Sequence, residues 1–461
     1  MTRIYSLTRA IDADIVDAFC VLQKGFTDQF VYYDKQRKAR YMGLGRCIAL
    51  PTLDDVEYEY GETSVSPSAE GAAGLRSEAL QPSLHPTAPS ASESVNQCTS
   101  WADRVENCVN QPAVFFSFNR FDAENPAPAD ELFSTFPRLH FMLPEVVLIE
   151  NERGRMLQVN SLGPVYAGRV ERFARACVNA PRRARTSIPY TLQYDERDAW
   201  CTAVDEALGA IGAGRVDKVV LSRRLRLQAE HPFSSKDLLV NLIDGSARGT
   251  VLLYRYADVF FCGCTPEVLV RKHGTQAESM CLAGTCRAGS SEQERVRLAN
   301  DLMNDAKNRS EHDYVVRFIR SVLERVCYDV DVPSTPGIMP LAHVQHLHTP
   351  ARARVLEGVD LWSLMEDLHP TPATSGLPVG EAKMLIRRIE AYNRGFYAGA
   401  CGFVDGAGDG EFSVALRTGV FDGEMGWVYA GCGIVEGSDA DAEYDEIDLK
   451  LRTILSAFSG E

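Results

Sequence analysis

The sequence lacks any sustained basic run: 48 Lys and Arg stand against 63 Asp and Glu, a net charge of −15. Binding of nucleic acid through phosphate neutralisation is thereby disfavoured, as is attraction to an anionic membrane surface. It also lacks an uncharged apolar run of membrane-span length. Its 13 cysteines are scattered and odd in number, and the one close pair, Cys262 and Cys264, is a C-x-C within an apolar run rather than a zinc-type spacing. They read as small core residues of a reduced, cytoplasmic protein. Asp12, Asp14 and Asp17 fall where a secretory leader would need its apolar centre. No repeat of solenoid period is present. What is present is length: 461 residues can bury a large core without disulfide or metal staples. The acidic balance repels an anionic metabolite, so such a substrate would need a locally positive pocket or a bound cation.

Composition divides the chain. From about 61 to 100, Gly, Ser, Pro and Ala dominate, as in SVSPSAEGAAG and HPTAPSASES, and such a stretch buries too little apolar surface to offset its ordering entropy. It reads as a flexible insertion, with a shorter one in DAENPAPAD at 122–130. AVFFSF at 113–118 and EVVLIEN at 145–151 are strand-like. From about 195, ERDAWCTAVDEALGAIGAG reads as a helix ending in glycine, DKVVLSRRLRLQ as a strand and PFSSKDLLVNLI as a helix with a serine start. Further strands turn at His273-Gly274 and include SMCLAGT; one long helix is expected over 292–327 and another over GEAKMLIRRIEAYNRG to Gly395. A three-stranded meander with turns DGAGDG and DGEMG precedes a last helix at about 438–457. Strands arrive as hairpins with helices between groups, which predicts an α+β fold with large antiparallel sheets.

Several residues break their local pattern. Val315, Ile319, Val322 and Val326 mark the buried stripe of a helix, and Glu311 falls on that stripe one turn earlier. Either it sits at the solvated start of the helix, favoured by the dipole, or it is paired or binds a cation. Glu443, Glu446 and Lys450 share a face of the last helix, as a solvated ladder or as part of a cation site. Two carboxylates there and Glu311 from a distant helix would suit magnesium, which takes one or two protein carboxylates with waters and a substrate oxyanion. EFSVALRTGVF alternates so that Arg417 shares a face with Ser413, Ala415 and Gly419, leaving room for a ligand carboxylate. Gly431 and Gly433 share a face of the next strand, as a bulge or as a place for close backbone approach. Lys218 opens an apolar strand, and Glu267 follows Pro266 where its carboxyl could be desolvated. A neutral lysine and a protonated glutamic acid would make a base and acid pair.

Taken together, DKVVLSRR, GCTPEVLVRKHG, LAGTCRAG, KNRSEHDYVVRFI, HVQHLHTP, DLHPTPATSGLP, YNRGFYAGACGFVD, GDGEFSVALRTG and YAGCGIVEGSDADAEYDEIDLKL resemble the chorismate-utilising enzymes, in order, over about 195–457. The resemblance implies one chorismate-binding α+β fold, two large stacked antiparallel sheets flanked by helices, with residues 1–190 the variable part and 191–461 the catalytic part. It implies that Lys218 is the general base that activates water and Glu267 the general acid. It implies that Glu311 and Glu446 bind magnesium with Glu443 close by, and that Thr285, His346, Tyr397, Arg417, Lys450 and the Gly431 and Gly433 backbone form the substrate pocket. Lys218, Ala283 in LAGT, and HPTPATSG resemble the isochorismate synthase branch rather than its anthranilate, aminodeoxychorismate or salicylate relatives. A cytoplasmic monomer or homodimer serving menaquinone or siderophore biosynthesis is expected, with salicylate synthase or a non-catalytic chorismate-binding subunit as rivals. Family members often read SEKDR-x-EH; here Ala306 and Asn308 interrupt that pattern, so an orienting carboxylate is expected to be missing near the metal.

Overall fold

The structure, a computed structural model, describes residues 2–37, 39–50, 56–62, 112–125, 131–137, 141–193, 197–245 and 248–460. The expected insertion at about 61–100 lies almost wholly outside the described residues.

Two large sheets dominate the described residues, one of 13 strands and one of 10, and helices flank them. Pairing is antiparallel throughout except at one edge, where Thr2–Ala10 pairs in parallel with Val56–Glu62. Strands from both sides of residue 190 enter each sheet. In the first, Gln29–Asp34 lies beside Thr250–Tyr256; in the second, Val114–Phe118 lies beside Ala400–Asp405. Val259–Thr265 is buried at every position, as an interior strand requires. Val268–His273 and Gln276–Arg287 form the expected hairpin, and Gly274 takes φ +55° at its tip.

Aromatic rings fill the space between sheets. Phe396 meets Phe118, Phe133, Phe136, Tyr254 and Phe261 at centroid distances of 5.1 to 6.2 Å. Gly395 makes this possible: its φ is +57°, and a Cβ there would fall 2.3 Å from the Phe133 ring.

Two expected elements are divided and a third ends early. The helix over 292–327 is two, Glu292–Asn304 and Ala306–Val326, because Asp305 adopts an extended ψ of 119° and its carboxylate caps the second at Asn308 N. The apolar stripe on that second helix is as expected at Val315, Ile319 and Val322; Val326 is half-buried. The helix expected to reach Gly395 stops at Ile389. EFSVALRTGVF is not one strand: Gly410–Val414 belongs to the second sheet and Thr418–Asp422 to the first. Arg417 makes the crossing with φ +56°, a left-handed conformation that a non-glycine residue adopts at a cost. The meander therefore has four strands shared between two sheets.

Candidate active site

The crossing at Arg417 opens a polar cavity between the sheets. Its wall takes Val220 and Ala430 to Gly433 from the first sheet, Leu282 to Thr285 and His346 from the second, and Glu311 and Lys450 from helices. Connecting segments add Pro266, Glu267, Ala373, Thr374 and the runs Tyr397–Ala398 and Leu416–Arg417.

Glu267 is 3% exposed, and its backbone is pinned by Thr265 Oγ1 and Val414 N. Burial pushes its carboxyl up to about 8 against the opposing fields of Arg417, Lys218 and Lys450, so it is protonated at neutral pH. Arg417 donates to His346 Nε2 at 2.9 Å. A guanidinium only donates, so the imidazole proton sits on Nδ1, which faces Thr285 Oγ1 at 3.1 Å and Gly284 O at 3.4 Å. Burial, with Arg417 and Lys450 nearby, holds His346 well below its ordinary range and keeps it neutral. The bulge between Ala283 and Thr285, with Gly284 at φ +79°, lets Thr285 turn toward this ring. Tyr397 stacks on Tyr429 at 5.2 Å, while its neighbour Phe396 enters the core.

The carboxylates are matched by lysines. Lys218 Nζ lies 3.1 Å from Glu311 Oε1, Lys450 Nζ lies 2.7 Å from Glu446 Oε1, and Lys307 bonds Glu443. Burial raises the Glu311 carboxyl, but Lys218 and then Lys450 outweigh it and hold the group below its usual range. Glu446 goes the other way. Burial raises it and Lys450 opposes, while the negative fields of Glu443 and Glu311 add to the rise. Lys450 also donates to Gly431 O at 2.9 Å.

Nine predicted residues line the cavity: Glu267, Thr285, Glu311, His346, Tyr397, Arg417, Gly431, Gly433 and Lys450. Lys218, Glu443 and Glu446 are not part of its wall. Lys218 is wholly buried and lies against Gly433, where an added Cβ would stand 2.8 Å from Lys218 Cε and 2.3 Å from Glu311 Oε1. The absent side chain at Gly433 thus makes room for an ion pair, and at Gly431 for the Tyr397 hydroxyl, 3.0 Å from an ideal Cβ. Neither glycine is a bulge in the ladder, which pairs Gly431 with Ser222 and Gly433 with Val220 in regular register. Asn308 Oδ1 accepts from Thr285 N at 3.0 Å and its Nδ2 donates to Asp305. It ties the helix start to the pocket strand, a tie that an ionised carboxylate could not make to Asp305. Sequence reasoning missed Lys307 and Thr374. Lys307 lies one turn before Glu311 and shares its face, a spacing that could have revealed it; Thr374 lies in a loop with no periodicity to read.

An α+β scaffold of two large sheets encloses a buried carboxyl, a buried lysine and, in the cavity wall, Arg417 and Lys450, which is the arrangement of an enzyme pocket for an anionic substrate. A model of the chorismate binding enzyme family matches residues 77–459. Isochorismate synthase MenF of Bacillus subtilis is 38% identical over 369 residues, covering 78% of this chain and 77% of its own. The salicylate biosynthesis isochorismate synthase of Pseudomonas aeruginosa is 35% identical, with coverage of 78% and 77%. The structure of MenF, the menaquinone-specific isochorismate synthase from Escherichia coli, superimposes with a TM-score of 0.73 at 21% identity, over 99% of this chain and 94% of that one, which shows the shared fold. The chain belongs to the chorismate-binding enzymes, in their isochorismate synthase group.

Proposed function

We propose that the protein converts chorismate to isochorismate in a magnesium-dependent reaction. Water adds at C2 of the ring, the double bonds shift, and the C4 hydroxyl departs as water. The observation that carries the reading is Glu267, a carboxyl on the cavity wall with its proton retained up to about pH 8. Such a group can deliver that proton to a departing hydroxyl. Lys218, on the strand that also supplies Val220, would take the proton of the attacking water in its neutral form, after the ion pair with Glu311 opens and its own proton has passed to solvent. Arg417, Lys450 and Thr285 would hold the substrate carboxylates, and neutral His346, accepting from Nη2, holds the Arg417 guanidinium in place.

Magnesium fits the residues present. Glu443 and Glu311 both raise the Glu446 carboxyl, so the three lie within electrostatic reach of one another; each is paired with a lysine here, and a dication would take over part of that pairing. Among the described residues no three His, Cys, Asp or Glu enclose an ion by themselves. An ion held by Glu311 and Glu446, with Glu443 reached through water, would keep open positions for substrate oxygen. Once bound it would neutralise a substrate carboxylate in an otherwise acidic protein.

Incubation of the purified protein with chorismate and magnesium, followed by chromatography, tests this reading. Isochorismate alone is the expected product. Salicylate with pyruvate would make it a salicylate synthase, and binding without turnover a chorismate-binding subunit. The product would serve menaquinone or siderophore biosynthesis.

A further inference from the structure

The strand Lys218–Gln228 has an open stretch on its outer edge. Gly376–Leu377 pairs with its first residues, and Thr191–Gln193 with its last. Between them, backbone groups next to the cavity are satisfied by side chains from one short segment. Glu390 Oε1 accepts from Ser222 N at 2.7 Å and from Ser222 Oγ at 3.0 Å, and Tyr392 OH donates to Ser222 O at 2.9 Å. Arg394 Nη2 donates to Val220 O at 2.7 Å, its Nη1 to Thr374 O at 2.9 Å, and its Nε to Glu390 Oε2 at 2.9 Å. The Arg394 and Glu390 side chains are each 2% exposed.

Withdrawing two charges from water this completely is unfavourable before their attraction is counted, and apolar packing would serve stability as well. Their geometry does something apolar packing could not. One planar guanidinium joins the carbonyls of two residues that line the cavity, Val220 on the strand and Thr374 on the facing loop. Val220 N in turn donates to Ser375 O at 2.8 Å, so that loop and strand are stitched from both sides, two residues from Lys218. No group of this pair reaches the cavity wall itself.

We infer that Arg394, oriented by Glu390, is a positioning residue that fixes the Lys218 strand against the Thr374 loop and so sets the placement of the base. This rests on the chorismate reading above. The experiment compares wild type with Arg394→Lys, which keeps the charge but cannot join both carbonyls and the carboxylate, and with Glu390→Gln, which keeps an acceptor for Ser222. Circular dichroism melts establish that each variant is folded, and steady-state kinetics with chorismate follow. The expected result for folded Arg394→Lys is a kcat lower by about 100-fold, as for a reacting group displaced by about an ångström. KM should stay within about threefold, since no substrate contact is removed. Glu390→Gln should show the same split with a smaller loss. Full kcat in a folded variant, a loss confined to KM, or failure of both variants to fold would each overturn the inference. Wild-type enzyme that makes no isochorismate would instead overturn the functional reading.

Discussion

At the scale of single residues, position in the cavity decides chemistry that residue type leaves open. Glu267 is a carboxylic acid rather than a carboxylate because burial outweighs three nearby cations. If Glu267 is the general acid proposed above, its protonated form is the active one: the rate should fall as pH rises through about 8, and Glu267→Gln should lower kcat by about 10²- to 10⁴-fold. Stability gives an independent check. The folded value lies above the ordinary 4.5, so the folded state keeps a proton the unfolded chain gives up. This contribution is whole below about 4.5 and is lost as pH climbs through about 8. At pH values above that, Glu267→Gln should melt at a higher temperature than wild type, measured by calorimetry. Gly433 has the opposite character, important for what it leaves out. Gly433→Ala would force a methyl against Glu311 and Lys218, so turnover should drop at least about tenfold with the fold retained, as a displaced reacting group predicts. Unchanged kinetics would show that the ion pair moves aside freely.

At the scale of elements, breaks in regular structure supply the site. Asp305 ends one helix and caps the next, which sends Ala306–Val326 across the second sheet so that Glu311 enters the cavity. Asp305→Ala removes that cap and the Asn308 bond, and should cost about 1 to 2 kcal/mol in denaturant melts. Arg417 spends backbone strain to cross between sheets and so stands between strands of both. The sequence alternation at 411–421 looked like one strand because both halves of the segment are strands. Where one stops was hidden, since nothing in Ala415 to Arg417 announces a left-handed turn. By contrast, the hairpin at His273-Gly274 and the stripe from Val315 to Val322 were legible, because glycine chemistry and helical period are local properties.

At the scale of the whole molecule, an acidic protein offsets Glu311, Glu443 and Glu446 with one lysine each, so that Arg417 in the cavity wall is left over as positive charge for a substrate anion. If magnesium is the intended further cation, chelation by EDTA should abolish turnover, and magnesium should restore it better than calcium, whose larger shell wants more oxygen ligands. Retention of activity in EDTA would remove the metal from the reaction. Among the described residues no helix is long and apolar enough to cross a membrane, which agrees with the hydropathy of the sequence. The sequence by itself determined the α+β class and the family, and it pointed to Glu267, Arg417, Glu311 and Lys450, which the structure brings to one cavity, because these follow from composition, local period and an ordered set of motifs. Only the tertiary structure decided that Lys218 lies under Gly433 in an ion pair, that Glu267 is buried deeply enough for its carboxyl to be pushed up, and that Lys307 belongs with the carboxylates. Those outcomes depend on distance and desolvation between segments far apart in the chain, and no local pattern encodes either quantity.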